Sequence, residues 1–351
     1  MNPFQPDYNH LIDAAMNRMP KRMPLYDHGV DSSVMEKITG IEVGLRIDGT
    51  EDDLDAAHRR YADFFVTMGY DACPYELPMV AALIGGGALT KHEVGCIKTL
   101  SDFEAYPWAE IPDRYFQRFA PYFESLQRTL PPGMKAVGGV GFGLFECVQD
   151  LVGYMNLCLI KYDDPELYAG LFVKMGEVMQ ETWRRLLARY GEAFCVCRFG
   201  DDLGFNSQTL ISEEDIRQHV IPVYRDVIAR VHAHGKPFLL HSCGCIFGVM
   251  DELIAVSRID AKHSNEDSIA PFQTWVERYG DRIGNFGGID CDVLIRSSEA
   301  DVKAVTKEII RKARPHGGFA FGTGNSVPDY VPVEKYIAMN EAAREMRGET
   351  P

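Results

Sequence analysis

No apolar run in this 351-residue sequence is long enough to cross a bilayer. The longest, residues 78–89, is broken by Gly85, Gly86 and Gly87. Residues 1–23 have no apolar core, so no secretory signal is expected. Positive charge is scarce: 36 Lys and Arg face 51 Asp and Glu, a net charge of −15. Such a balance argues against nucleic acid or an anionic membrane surface as a partner. Cysteine comes as an odd nine, which reads as reduced thiols in a cytoplasm rather than a disulfide framework. A chain of this length needs no disulfides to build a core. Low-complexity tracts, long linkers and short repeats are missing. So is the glycine fingerprint of a dinucleotide fold, since Gly138-Gly139-Val140-Gly141-Phe142-Gly143 has the wrong spacing.

The sequence does contain an ordinary globular composition, 46% hydrophobic and 25% charged, arranged in a strand-then-helix rhythm. Apolar runs of strand length sit at residues 23–26, 79–84, 134–140, 194–199, 237–241, 259–262, 283–286 and 318–321. Amphipathic stretches lie between most of them. Over 213–232, Ile216, Val220, Val223, Val227 and Val231 share one helical face; Ser212 is a candidate N-cap, and Pro222 should kink or split the helix. A helix over 299–313 starts after Ser298, and another runs from Pro332 to Gly348. Residues 55–68 and 115–130 are also predicted helical. Such alternation means a parallel sheet with helices outside it, either a closed barrel or an open doubly wound sheet. Eight strand candidates favour the (β/α)8 TIM barrel, an α/β fold. We expect one barrel domain over 23–348, preceded by an N-terminal helical extension over 1–22.

Barrel chemistry sits where strands end. The apolar runs end in Gly200-Asp201-Asp202, in His241-Ser242-Cys243-Gly244-Cys245, in Lys262-His263-Ser264-Asn265, in Gly287-Gly288-Ile289-Asp290-Cys291 and in Gly322-Thr323-Gly324-Asn325. Residues two apart on a strand face the same side, so His241 and Cys243 share a direction. Imidazole and thiolate together suit Zn²⁺; a hydrogen-bonded histidine beside a buried thiol satisfies the same spacing. Cys195 and Cys197 lie inside an apolar run and read as core thiols. Of Asp201 and Asp202, one should line a pocket and the other cap a helix or pair with a neighbour such as Arg198. Gly287 and Gly288 would let backbone approach a ligand or a strand closely.

His241-Ser242-Cys243-Gly244, Gly287-Gly288-Ile289-Asp290, and Gly322-Thr323-Gly324-Asn325 with Pro328 and Pro332 resemble the uroporphyrinogen decarboxylase superfamily, over roughly residues 20–347. The resemblance implies the same barrel. True decarboxylases of that family carry an arginine-rich motif after the first strand, where this chain reads Asp27-His28-Gly29-Val30-Asp31. The resemblance is therefore closer to the corrinoid-dependent methyltransferase branch, whose zinc is held by His-x-Cys and a distant Cys. His241 and Cys243 match the first two; Asn325 stands where the distant Cys belongs. Cys291 and Glu146 are the first candidates for the third ligand, with Asp202 and His263 behind them.

The resemblance implies methyl transfer between a small methylated molecule and a corrinoid (cobalamin) carried by a separate corrinoid-binding protein. The Asp-x-His-x-x-Gly pattern of a cobalamin module does not occur here. Zinc would act as Lewis acid. Asp202, His263 and Asp290 would position substrate or move a proton, with His263 the natural acid or base. His28, Asn325 and Gly288 would contact substrate. A homodimer fits the family. Two other readings are a decarboxylase anchored by Lys262 and Arg198, and a non-catalytic binder of the corrinoid protein.

Overall fold

The computed structural model describes residues 4–44, 50–91 and 94–349. Seven parallel strands form one sheet in sequential order: β1 Ala72–Pro78, β2 Lys135–Gly141, β3 Phe194–Gly200, β4 Phe238–His241, β5 Ala261–His263, β6 Gly284–Ile289 and β7 Phe319–Thr323. Each strand pairs with the next one in the chain. A doubly wound sheet reverses its order at a switch point. This sheet does not, so it winds one way, as a barrel wall does. Beyond β7, Leu25 bridges Phe321 in parallel: the Tyr26 N–H donates to the Phe321 carbonyl at 2.8 Å and the Phe321 N–H to the Pro24 carbonyl at 3.0 Å. The predicted strand at 23–26 is thus a single bridge rather than a full strand.

The run at 79–84 is not a strand either. Met79–Ala82 forms a short 3₁₀ turn, and β1 lies just upstream. Its sequence, Ala-Cys-Pro-Tyr-Glu-Leu-Pro, hides it. Two prolines and a glutamate break the apolar pattern, and proline is tolerated on a strand with a sheet neighbour on one side only. The other six predicted strands are found, shifted by a few residues at most.

Two apolar layers hold the sheet. The larger lies between its outer face and the surrounding helices. The smaller is internal, and joins Val137, Val196, Leu239, Ala261, Phe286 and Ala320 to Leu11, Ala14 and Ala15. Those last three belong to the N-terminal helix Asn9–Ala15, which therefore stoppers the end where the strands begin. The opposite end is left for chemistry.

The helices follow their local signals. Glu299–Ala313 starts after Ser298, whose hydroxyl accepts from the Asp301 N–H at 3.2 Å. Ser298→Ala should cost about 1 kcal/mol, read as a small fall in the denaturation midpoint. The helix expected over 213–232 is split: Glu213–Asp215, then one π-helical turn at Ile216–Val220, then Ile221–Ala233. Pro222 opens the last piece, and the preceding π turn absorbs its missing N–H.

Candidate active site

The C-terminal ends of the strands surround a cavity of about 200 Å³. His241 closes β4 and Cys243 follows it; both reach the cavity. Asp202 arrives from the loop after β3, Glu76 from β1, His28 from the segment after the Leu25 bridge, and Asn325 from beyond β7. Glu146 enters from helix Leu144–Val152.

His241 and Cys243 face each other, with Nε2 3.5 Å from Sγ. Asp202 Oδ1 lies 3.9 Å from the same Nε2 and accepts the Cys243 N–H at 3.0 Å. One ligand atom from each of the three lies within 4.8 Å of the others. The thiol also takes hydrogen bonds from Asn325 Nδ2 at 3.4 Å and Ser264 Oγ at 3.6 Å. Burial, then the Asp202 charge, push the Cys243 thiol up to about 12. Without a cation beside it this sulfur stays protonated.

The paired aspartates divide their work. Asp202 lines the cavity. Asp201 is buried and caps helix Leu144–Val152 from another segment: its carboxylate accepts the Phe145 and Glu146 N–H groups at 2.9 Å each and the Tyr224 hydroxyl at 2.6 Å. Burial still raises its pKa to about 6 against those bonds. Glu146, desolvated and beside the charges of Asp201 and Asp202, is held well above the usual carboxylate range.

Three expectations change here. Neither Cys291 nor Glu146 belongs to the ligand groups that converge on His241 among the described residues; the third member is Asp202. The Cys291 thiol instead donates to the Ser326 carbonyl at 3.6 Å. Asp290 is an N-cap: its two oxygens accept the Asp292 and Asp267 N–H groups at 2.6 Å each, and it is not part of the cavity wall. Gly288 is also absent from the wall. Its backbone, at φ +151°, leaves room for Phe321, and the Asn265 side chain clamps its peptide at 3.1 Å on both sides.

His263 is brought to the site but stands behind it. It is fully buried, with Nδ1 2.7 Å from His241 Nδ1 and Nε2 3.0 Å from the Thr323 carbonyl. Burial pushes its pKa down to about 3. Both nitrogens are engaged, so it is poorly placed for proton transfer to a ligand. His28 stacks on His241, ring centres 3.6 Å apart and planes 19° apart, and burial holds both well below the usual histidine range.

The basic anchors expected of a decarboxylase are committed elsewhere. Arg198 is buried, paired with Glu76 at 2.9 Å and bonded to the Tyr26 hydroxyl at 2.6 Å and the His28 carbonyl at 2.8 Å. Lys262 points at Trp275, 3.7 Å from its ring centre. No Lys or Arg lines the cavity among the described residues. Sequence reasoning missed Glu76. It sits in the strand that the prolines concealed, so only its polarity within an apolar stretch marked it.

The sequence profile of the uroporphyrinogen decarboxylase (URO-D) family matches residues 94–346. The chain belongs to that family. No curated protein matches it. Among solved structures it is similar to a methyltransferase from Methanosarcina mazei, with TM-score 0.73 and 16% identity over 97% of this chain and 99% of that one. It is also similar to a protein described as a vitamin-B12-independent methionine synthase from Listeria monocytogenes. There the TM-score is 0.51 and the identity 12%, over 93% of this chain and 98% of the other. At such identities these likenesses speak for the fold alone.

The family resemblance implies zinc, and the donor set fits it. Imidazole nitrogen, sulfur and carboxylate oxygen are all zinc ligands, and three protein ligands with a cavity on the fourth side is the catalytic pattern. The second converging group, His28, His241 and His263, fits less well because the two Nδ1 atoms are spent on each other.

Proposed function

We propose that the protein is a methyltransferase, moving a methyl group between a small methylated molecule and a corrinoid carried by a separate protein. The observation that carries the reading is the convergence of His241, Cys243 and Asp202 on one cavity at the strand ends. Those three residues would hold a zinc ion. When bound, the ion supplies Lewis acidity toward an oxygen or sulfur of the substrate. Asn325 hydrogen-bonds the Cys243 sulfur from the position of the family's distant cysteine, and Asp202 replaces that cysteine as the third donor. His28 and Glu146 flank the ligand space, and Glu76 is held in the wall by Arg198. The Methanosarcina methyltransferase shares the fold over nearly the whole chain.

On this reading the wall is that of an eightfold barrel over 23–348, with the segment that bridges β7 in the place of the eighth strand and helix Asn9–Ala15 as its stopper. No described helix is long and apolar enough to cross a membrane. All nine cysteines are free, which suits a reducing compartment.

Two measurements test the proposal. Protein purified without chelator should carry zinc near one equivalent; less than about a tenth of an equivalent after supplementation overturns the metal role. Incubation with cob(I)alamin and a panel of methyl ethers and methylamines should yield methylcobalamin, read from its visible spectrum. Carbon dioxide release without corrinoid would instead establish a decarboxylase.

A further inference from the structure

We infer that His263 is a positioning residue: it fixes His241 with its proton on Nδ1, so that the Nε2 lone pair faces Cys243 and Asp202. The use of that lone pair rests on the metal reading above; the hydrogen-bond argument does not.

The chain of bonds starts at the Thr323 carbonyl, which can only accept. The contact 3.0 Å away must therefore be an N–H on His263 Nε2. A neutral imidazole carries one N–H, so His263 Nδ1 is a bare acceptor. Its partner at 2.7 Å is His241 Nδ1, which has to bring the proton. The single N–H of His241 is then turned inward, and Nε2 is bare on the side where Cys243 Sγ lies 3.5 Å off and Asp202 Oδ1 3.9 Å off. Reversing the chain would need a doubly protonated His263. That ring is fully buried, and its two hydrogen-bond partners are another imidazole and a backbone carbonyl, not a carboxylate.

The surroundings are built to keep His263 in place. Tyr26 meets its ring edge-on, 5.3 Å between centres. Gly287, at φ +119°, leaves the space on another side; a Cβ there would lie 3.3 Å from the His263 ring and 2.7 Å from the Asn265 side chain. His28 covers the face of His241. His241 is thus held by a stacked ring and by one directional hydrogen bond, and only the bond decides which nitrogen carries the proton. Without His263, the proton is free to occupy Nε2, where it blocks the ligand position.

The experiment has two arms. In metal-free protein labelled with ¹⁵N-histidine, long-range ¹H–¹⁵N spectra should show His241, assigned by comparison with His241→Gln, with a protonated Nδ1 and a bare Nε2. A proton on Nε2 overturns the inference. In the second arm Zn²⁺ is titrated against a chelating indicator with wild type, His263→Leu and His263→Asn. The Leu variant should bind roughly 10- to 100-fold more weakly. The Asn variant, whose Oδ1 can accept from His241, should recover most of the loss. A Leu variant equal to wild type, or an Asn variant as weak as Leu, overturns the positioning role. If wild type itself takes up no Zn²⁺, the metal reading fails, while the spectra still decide the tautomer.

Discussion

Cys243→Ala should weaken Zn²⁺ binding by about 10²- to 10³-fold and leave the barrel folded. Protein zinc sites gather ~10–16 kcal/mol; shared among four ligands, that is ~2.5–4 kcal/mol each, about 10²- to 10³-fold per ligand. His241→Ala should match it, since Nε2 and Sγ face each other at 3.5 Å. Stability should change little. Cys243 lies in the loop after β4, outside both apolar layers, and a small side chain lost there costs ~1 kcal/mol or less. Cys291→Ala is the control. Its thiol bonds the Ser326 carbonyl and belongs to no converging ligand group, so zinc affinity should stay at the wild-type value. Competition against a chromophoric chelator reads the affinities, and circular dichroism melts read the fold. Retention within tenfold of wild type in Cys243→Ala would remove the sulfur from the site. Loss in Cys291→Ala would make Cys291 the sulfur ligand instead.

The parts of the fold legible in the sequence were those in which local chemistry and tertiary context agree. Ser298 caps its helix because the hydroxyl meets the Asp301 N–H as local rules require. β3 is apolar but for Arg198, which Glu76 pairs, because both of its faces are covered. β1 was hidden because its position relaxes those rules: Pro74 and Pro78 survive where a neighbour is present on one side only. Glu76, carried by that strand, went unread with it.

The same contrast explains the site. His241 and Cys243 sit on one strand end, and a period of two placed them together. The residue that converges with them comes from the loop after another strand, so sequence spacing could not choose among Cys291, Glu146, Asp202 and His263; the register of β3 against β4, Gly200 opposite His241, brings Asp202 beside them. The splitting of Asp201 from Asp202 followed from strand alternation. Asp290 looked catalytic because it ends a glycine-rich strand, yet the same position starts helix Cys291–Arg296: one oxygen caps that helix and the other holds the Asp267 N–H. His263 was legible as a member of the site but not as a member of its outer ring, since burial is not a property of local sequence.

A histidine outside the site should dominate one pH effect. His58 is buried between helix Glu51–Thr67, β1 and helix Ile111–Thr129. Its Nδ1 lies 3.1 Å from the Leu54 carbonyl and 2.8 Å from Ser125 Oγ, and its Nε2 lies 2.7 Å from the Tyr75 hydroxyl. A neutral ring satisfies this set, with N–H at Nδ1 and an acceptor at Nε2. Burial lowers its pKa to about 4 from a reference of 6.5. In the unfolded chain the ring takes its proton near the reference value; in the folded chain it takes it only near pH 4. Between those limits the unfolded state binds more protons, so this contribution to stability falls as the pH falls. At ~1.4 kcal/mol per pH unit, the loss reaches roughly 3 kcal/mol by pH 4. Total acid sensitivity would not isolate it, because Asp201, with its raised pKa, acts in the opposite sense over part of the same range. The difference between wild type and His58→Gln does. Urea midpoints at pH 7.5, 6, 5 and 4 should show wild type gaining most from His58 above pH 6.5 and losing about 3 kcal/mol of that gain by pH 4. A difference that stays flat across the range would mean that the ring is charged in the folded protein. The Tyr75 hydroxyl, one residue before Glu76 in β1, would then have to turn its own proton away and accept the Nε2 hydrogen bond instead.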